Sequence, residues 1–417
     1  MATPVHSESA RAVLLAAART SPVASRMAMR FTEMGCRVAA VYPSKAHPLA
    51  STKAVQGRYH YGAIDPVGSL LTAIAESGAE VVVPCDGMAV RHLHALFASL
   101  PTSPEGTAFA KVIERSLGDP AGYLLVDSRH EIQVAARAEG LNAVESFAIG
   151  KATDPETIAQ TLPFPWIVKT DYSWGESGRR TVHNLKEARE FIRRAGRSPS
   201  LGMVAKQLVV NGDRAALEEW LHAKQPGLSA QPPLTGKQAN TVTACWKGTV
   251  LAQISMEAMA TDGENGPSTT VRILENEEMV RTVRRMADRL GLNGFHCFDF
   301  VITAESGRAW LTEFNAHCAE ATHLNAGAGH DPIGAFCRKW LGSVPEGIST
   351  PHPGPVVAYF PNAWAANPDD PILNTGSFDI PAGEPEFVEH VRRLIRSGRK
   401  FERFQSGISS PFQGKRG

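Results

Sequence analysis

Residues Gly294–His317 read GFHCFDFVITAESGRAWLTEFNAH, two apolar runs (Gly294–Thr303 and Arg308–Phe314) around the turn-forming triplet Glu305-Ser306-Gly307. That pattern predicts a β-hairpin. Asp299 falls in its first strand, and Glu313 and Asn315 fall two apart in its second, so these last two share a face. Paired strands let all three converge. Two carboxylates and an amide are hard oxygen donors, suited to a Mg²⁺ ion that holds nucleotide phosphates. The competing reading makes the acids ordinary solvent-facing positions; their flanking Phe298, Phe300 and Phe314 count against it.

Just upstream, Glu277–Leu290 predicts a helix with Met279, Val280, Val283, Met286 and Leu290 on one face, stopped by Gly291. Asn240–Glu257 carries two strand signals joined at Lys247-Gly248, and Met203–Val210 another. Further back, PWIVKTDYSWGESGRR ends an apolar strand (Pro165–Thr170) on Lys169 and continues into a loop with Gly175 and Gly178, ahead of a helix at Leu185–Ala195. A lysine beside a loop whose backbone N–H groups approach phosphate is what nucleotide binding requires. Alone this signal is weak; the order of elements strengthens it. A helix at Ser128–Glu139, capped by Asp127 or Ser128 and closed by Gly140, precedes them.

The first hundred residues alternate differently: strands at Ala12–Ala17, Arg37–Tyr42 and Glu80–Pro84, helices at Ala24–Met34 and Leu70–Glu76. This predicts a parallel sheet covered by helices. The turn AARTSP lacks GxGxxG spacing, which weighs against a dinucleotide site. His92 and His94 are assigned to a surface helix after Asp86. SLPTSPEGT (Ser99–Thr107) reads as a boundary and SVPEGISTPHPGP as a linker, followed by a strand (Val356–Phe360) and a helix (Glu386–Arg396).

With 417 residues, 43% hydrophobic and 20% charged, the chain is globular and multidomain. A net charge of +1 gives no general attraction to nucleic acid or membrane, despite the basic run RRLIRSGRKFERFQ. The opening residues lack a secretory signal and no apolar run is bilayer-length, so a cytoplasmic location is expected. Six dispersed cysteines without a CxxC pair read as reduced core thiols. His317, Cys318, Glu320 and His323 match no zinc spacing.

Over roughly residues 106–342 the chain resembles the ATP-grasp superfamily of carboxylate–amine ligases. The resemblance implies an α/β and α+β architecture: an ATP-grasp fold preceded by a Rossmann-like parallel α/β domain. It divides the chain into 1–105, 106–342 (mobile lobe about 150–210) and a C-terminal extension, 343–417. It implies ATP and Mg²⁺, with Mn²⁺ able to substitute. Arg129 and Lys169 stand where the family contacts phosphate, Gly175 and Gly178 in its phosphate loop. Lys206, Gln207, Leu208 and Val209 stand in the adenine-contacting strand, and Asp299, Glu313 and Asn315 in the metal trio. Arg129 replaces a lysine, Glu176 and Ser177 replace glycines, Gln207 a glutamate, and His317 the arginine that steadies an acyl phosphate. Arg272 is the candidate to supply that lost charge; a solvated strand arginine is the equal alternative.

The expected activity is ATP-dependent ligation of a carboxylate to an amine, amino acids being the expected substrates, through an acyl phosphate with ADP and phosphate released. No nucleic-acid or membrane partner is expected, and the family is compatible with a homodimer. Two alternatives stay open: activation of bicarbonate, carboxylase-like or carbamoyl-phosphate-like, and a non-catalytic ATP-binding regulator.

Overall fold

The computed structural model describes residues 11–150, 153–171, 178–195, 227–263, 266–345 and 351–397. The N-terminal part runs β1 (Ala12–Ala16), α1 (Val23–Glu33), β2 (Arg37–Tyr42), β3 (Gly57–His60), α2 (Pro66–Ser77), β4 (Val81–Pro84), α3 (Gly87–Ser99) and α4 (Pro104–Leu117). Its strands form a four-stranded parallel sheet in the order β3-β2-β1-β4. Apolar residues fill both faces of β1: Val13 and Leu15 enter one core, Leu14 and Ala16 the other. That two-sided burial explains why these strands read as continuous apolar runs. Asp86 caps α3 by accepting from Ala89 N at 2.9 Å, and Asp65 caps α2 by accepting from Gly68 N at 2.8 Å.

Helix α3 is not a surface helix. His92 and His94 are both buried, His92 Nδ1 lying 2.8 Å from the Tyr61 hydroxyl and His94 Nδ1 3.0 Å from Asp127 Oδ1. Pairing within the protein satisfies the ring nitrogens that sequence alone would leave to solvent. Beyond SLPTSPEGT, α4 returns to the first sheet: Ser116 Oγ accepts from Val82 N at 2.8 Å, and Ile113 and Leu117 join the core of β1 and α3.

The chain continues through α5 (Tyr123–Val126), α6 (Arg129–Ala138), β5 (Phe147–Ile149), α7 (Pro155–Thr161), β6 (Trp166–Thr170), β7 (Arg179–Val182), α8 (Leu185–Ala195) and β8 (Leu228–Gln231). Four of these elements make a small sheet ordered β5-β8-β6-β7. Then come β9 (Gly236–Trp246), β10 (Thr249–Thr261), β11 (Ser268–Ile273), α9 (Glu277–Leu290), β12 (Gly294–Thr303), β13 (Ala309–Asn315), α10 (Pro332–Leu341), β14 (Val356–Tyr359), α11 (Asn362–Ala366), β15 (Phe378–Asp379) and α12 (Pro385–Arg396). The large sheet has the order β13-β12-β9-β10-β11-β14-β15, so strands beyond the linker join it. The β9–β10 turn uses positive φ at Lys247 and Gly248, the backbone twist a two-residue hairpin requires.

Helix α9 starts at Asn276, whose side chain accepts from Met279 N at 3.0 Å, and ends at Gly291 in the left-handed region. Its buried Met279, Val283, Met286 and Leu290 cover the β12 and β13 face that carries Phe298 and Leu311. Phe336 and Trp340 of α10 pack with Val13, Leu15 and Phe31, joining the first sheet to the large one. At that junction Cys318 N donates to the Pro84 carbonyl at 3.4 Å. All six cysteines are free and buried. Among the described residues, no helix is long and apolar enough to cross a membrane.

Candidate active site

The β12–β13 hairpin forms, with Cys297 opposite Asn315, Phe298 opposite Phe314 and Asp299 opposite Glu313. The next pair is Phe300 with Leu311, which leaves Thr312 as an extra residue in a β-bulge. The Thr312 hydroxyl donates to the Asp299 carbonyl at 3.1 Å and pins the bulge. Without it, Leu311, Glu313 and Asn315 would share a face by simple alternation. With it, Leu311 joins Phe298 and Phe300 in the core under α6 and α9, while Asp299, Glu313 and Asn315 stand together on the opposite face. Phe298 and Phe300, which flank Asp299, are thus buried away from the acids, whereas Phe314 is partly buried against the same core and also borders the cleft.

Glu313 gathers the cations. Its carboxylate ion-pairs with Arg129 through Nη1 and with Lys169 Nζ at 3.4 Å. Lys169, itself 2% exposed, also donates to the Thr312 carbonyl at 3.1 Å. Arg129 opens α6 behind the Ser128 cap, and its backbone N–H donates to Asp171 Oδ1 at 3.0 Å. Burial pushes Glu313 up, but the charges of Arg129 and Lys169 prevail and hold its carboxyl down at about 2. Burial drives Lys169 down to about 8 against the pull of Glu313. Asp299 is raised to about 7 by burial and then by the Glu313 charge facing it.

Asn315 Nδ2 donates to Asp299 Oδ2 at 3.0 Å, which sets the amide beside the carboxyl. Asp299 is an acid whose burial, and then the facing Glu313 charge, favour its protonated form, a penalty that a bound cation relieves. All three side chains offer oxygen, so the donor set fits Mg²⁺. Among the described residues no group of three or more His, Cys, Asp or Glu side chains is placed to hold a metal ion.

His317 is buried at the end of this strand, with Nδ1 3.0 Å from the Cys318 carbonyl. A carbonyl partner requires the proton on Nδ1. Burial lowers its pKa, so the imidazole is neutral and carries no standing positive charge. Arg272 is not brought to the site. Register runs from Phe300 to Ala239 to Glu257 to Arg272, placing the arginine on the face opposite Asp299 and three strands away. There its half-exposed guanidinium ion-pairs with Glu257.

Gly178 leads into β7, its carbonyl accepting from the Thr170 hydroxyl at 3.4 Å. Gly175, Trp174, Lys206, Gln207, Leu208 and Val209 lie outside the described residues. A cleft in front of Glu313, Asn315 and His317 is walled by Gly87 and Arg91 of α3, Gln133 of α6 and Gln231 of β8. Two further residues at the site escaped the sequence reading. Asp171 follows Lys169 by two positions and so shares its face, a period-two signal present in KTD. Arg179 stands directly across the β6–β7 ladder from Lys169.

Residues 128–328, just under half the chain, match the sequence profile of the carbamoyl-phosphate synthase L chain, ATP binding domain. No curated protein sequence matches the chain. Among solved structures, the fold is similar to Staphylococcus aureus N5-carboxyaminoimidazole synthetase complexed with ADP, at 14% identity and a TM-score of 0.53, covering 78% of this chain and 77% of that one. It is similar to Campylobacter jejuni biotin carboxylase at 13% identity and a TM-score of 0.54, covering 81% and 72%. It is also similar to the biotin carboxylase domain of Hydrogenobacter thermophilus 2-oxoglutarate carboxylase, at 16% identity and a TM-score of 0.53, covering 80% and 70%. At these identities the likeness is one of fold. A parallel α/β domain leads into the matched ATP-binding domain, with the carboxylate hairpin at its centre, and the chain shares the ATP-grasp fold of these structures.

Proposed function

We propose that this protein activates a small carboxylic acid with ATP as an acyl phosphate and passes the acyl group to an amine, releasing ADP and phosphate. The observation that carries the reading is the meeting of Lys169 and Arg129 on Glu313, opposite Asp299. Asp299, Glu313 and Asn315 would hold Mg²⁺, which supplies charge neutralisation along the phosphates. Arg129 and Lys169 lie beside that position and orient the terminal phosphate for in-line attack by the substrate carboxylate. Lys169, desolvated against Glu313, stays protonated at neutral pH and presents its charge in a site that excludes water. Neutral His317 is suited to accept a proton, not to balance the acyl phosphate's charge as an arginine would.

A second reading has bicarbonate as the acid. It is favoured by the carboxyaminoimidazole synthetase and the carboxylases with which the fold is shared, one of them described with MgADP and bicarbonate anion. One experiment separates the possibilities. Purified protein is incubated with ATP, Mg²⁺ and pooled amino acids, other small acids or bicarbonate, with and without hydroxylamine, and ADP and hydroxamates are measured. ADP release tied to one pool, with a hydroxamate of matching mass, identifies the acid. ADP that depends on bicarbonate supports the second reading. No ADP from any arm, with ATP bound, would favour a non-catalytic ATP-binding role or an acid outside the pools.

A further inference from the structure

We infer that the protein has a second ligand site, for a small organic oxyanion (a carboxylate or a phosphate ester), in a cavity between α1, residues 323–325 and the loop after β15. The cavity holds about 580 Å³, within the roughly 300–1,000 Å³ range of small-molecule sites. Arg26 and Arg30 of α1, Lys53, His323, Asp379 and Glu384 supply its charged and polar wall. It lies apart from the acids of the hairpin. β13 and β15 are the two edges of a seven-stranded sheet, so six strand spacings, or roughly 29 Å, separate them. The inference therefore does not rest on the ATP reading.

The chemistry follows from one contested ring nitrogen. His323 Nε2 lies 2.8 Å from Asp379 Oδ2 and 3.1 Å from Arg26 Nε. A ring nitrogen either donates or accepts, so it cannot give a proton to the carboxylate and take one from the guanidinium together. With the proton on Nε2, the bond to Asp379 forms and Arg26 Nε–H has no acceptor among the described residues. With the proton elsewhere, the buried carboxylate faces a lone pair, the costlier arrangement. Arg26 Nη2 is held by Asp379, but Nη1 meets the Met29 sulfur at 3.9 Å, a weak acceptor. A guanidinium only 12% exposed thus keeps donors on two of its three nitrogens. The other acids of the wall do not fill them. Glu33 is taken by Arg30 at 2.8 Å, and Glu384 accepts from the Thr52 hydroxyl at 3.1 Å and from Lys53 N at 3.2 Å. An incoming oxyanion supplies the missing acceptor, and Lys53, 70% exposed and 3.9 Å from Glu386, adds a second positive charge. Met29, Ala54, Leu324 and Pro381 offer apolar contact to an organic body.

The test is titration calorimetry and thermal unfolding of the full chain with succinate and with glycerol 3-phosphate at matched ionic strength. Each is run with and without a non-hydrolysable ATP analogue in Mg²⁺, for wild type, Arg26→Gln and Lys53→Glu. One anion or both should bind, raise the unfolding temperature and keep their affinity when the analogue is present. Arg26→Gln is expected to weaken binding at least ~10-fold. Lys53→Glu, at an exposed side chain, should weaken it about 3- to 10-fold. Preference between the two anions identifies the acid group of the ligand. Neither anion binding above a sodium chloride control would overturn the assignment. So would displacement by the analogue, which would put the anion in the nucleotide cleft, or unchanged affinity in the variants. If Arg26→Gln does not fold, unchanged affinity in Lys53→Glu decides against the site. Failure of the ATP reading shows separately, as wild-type protein that binds no analogue, and leaves the comparison of variants intact.

Discussion

Lys169 and Glu313 come from different sheets and meet at their tips: Nζ is 3.4 Å from Oε2 and donates to the adjoining Thr312 carbonyl at 3.1 Å. The bulge makes the double contact possible, because the extra residue places a free carbonyl next to the carboxylate. One lysine therefore reads both the backbone and the side chain of the large sheet. The contact couples the small sheet to the acids that would hold the metal.

Glu313→Gln keeps the volume of the side chain and removes the charge that Arg129 and Lys169 share. ADP formation is expected to fall at least ~100-fold, because phosphate positioning and metal binding are lost together. The ligand-free protein should lose about 3 kcal/mol in urea unfolding, the usual consequence of stranding buried cations. Full turnover in this variant would remove Glu313 from the chemistry.

Arg272→Ala tests the other side of the sheet. The arginine is half exposed, and its partner Glu257 also has Lys237 at 3.5 Å. Lys237 still neutralises the buried Glu257 carboxylate after the change, so losing this half-exposed pair should cost about 1 kcal/mol. ADP formation should change less than about twofold, since two intervening strands and the sheet itself separate Arg272 from Asp299. A large loss of turnover without unfolding would return Arg272 to the site.

Much of this was legible because period-two and period-3.6 patterns are local. The hairpin spacing put Glu313 and Asn315 on one face, and the apolar stripe of α9 matches residues 277–290. What was not legible depends on long-range register. Whether Arg272 shares a face with Asp299 is decided across β12, β9, β10 and β11, which no local window contains. The bulge at Thr312 left no mark in composition, although it sends Leu311 to the core. Arg179 carries no local signal, because its partner Lys169 lies across a strand pair. His92 and His94 looked exposed because Tyr61 and Asp127 are brought to them by tertiary structure.

His47 and His296 predict an acid limit. Burial lowers both to about 4, with His47 Nε2 3.0 Å from the Arg19 carbonyl and His296 Nε2 2.8 Å from that of Asn293. A base whose folded pKa is depressed binds fewer protons folded than unfolded between pH 4 and 6.5. Stability contributed by the neutral ring is therefore complete above the unfolded pKa and declines as pH falls toward the folded one. Each ring should cost on the order of 3 kcal/mol by pH 4. His47→Gln can still accept from Leu49 N and donate to Arg19. Urea unfolding at pH 7 and pH 4.5 should show a smaller acid loss for that variant; an unchanged loss would clear His47.

Asp379 tests how the strand beyond the linker supports the site. From β15 its carboxylate reaches Arg26 of α1 in an ion pair and His323 at 2.8 Å. Burial raises its pKa, but Arg26 and His323 outweigh that and hold it below the usual aspartate value. The cluster thus ties three distant stretches of chain together, including the segment that follows Asn315. Asp379→Asn leaves Arg26 buried without its counter-charge and should cost about 3 kcal/mol. The wild-type contribution is present above the unfolded aspartate pKa and is lost as pH falls, so the gap between variant and wild type should narrow in acid. Affinity for an ATP analogue should stay within about twofold, because Lys169, Arg129 and Glu313 sit on β6, α6 and β13. If nucleotide affinity fell with stability unchanged, Asp379 would be acting on the nucleotide site and not as a tie between segments.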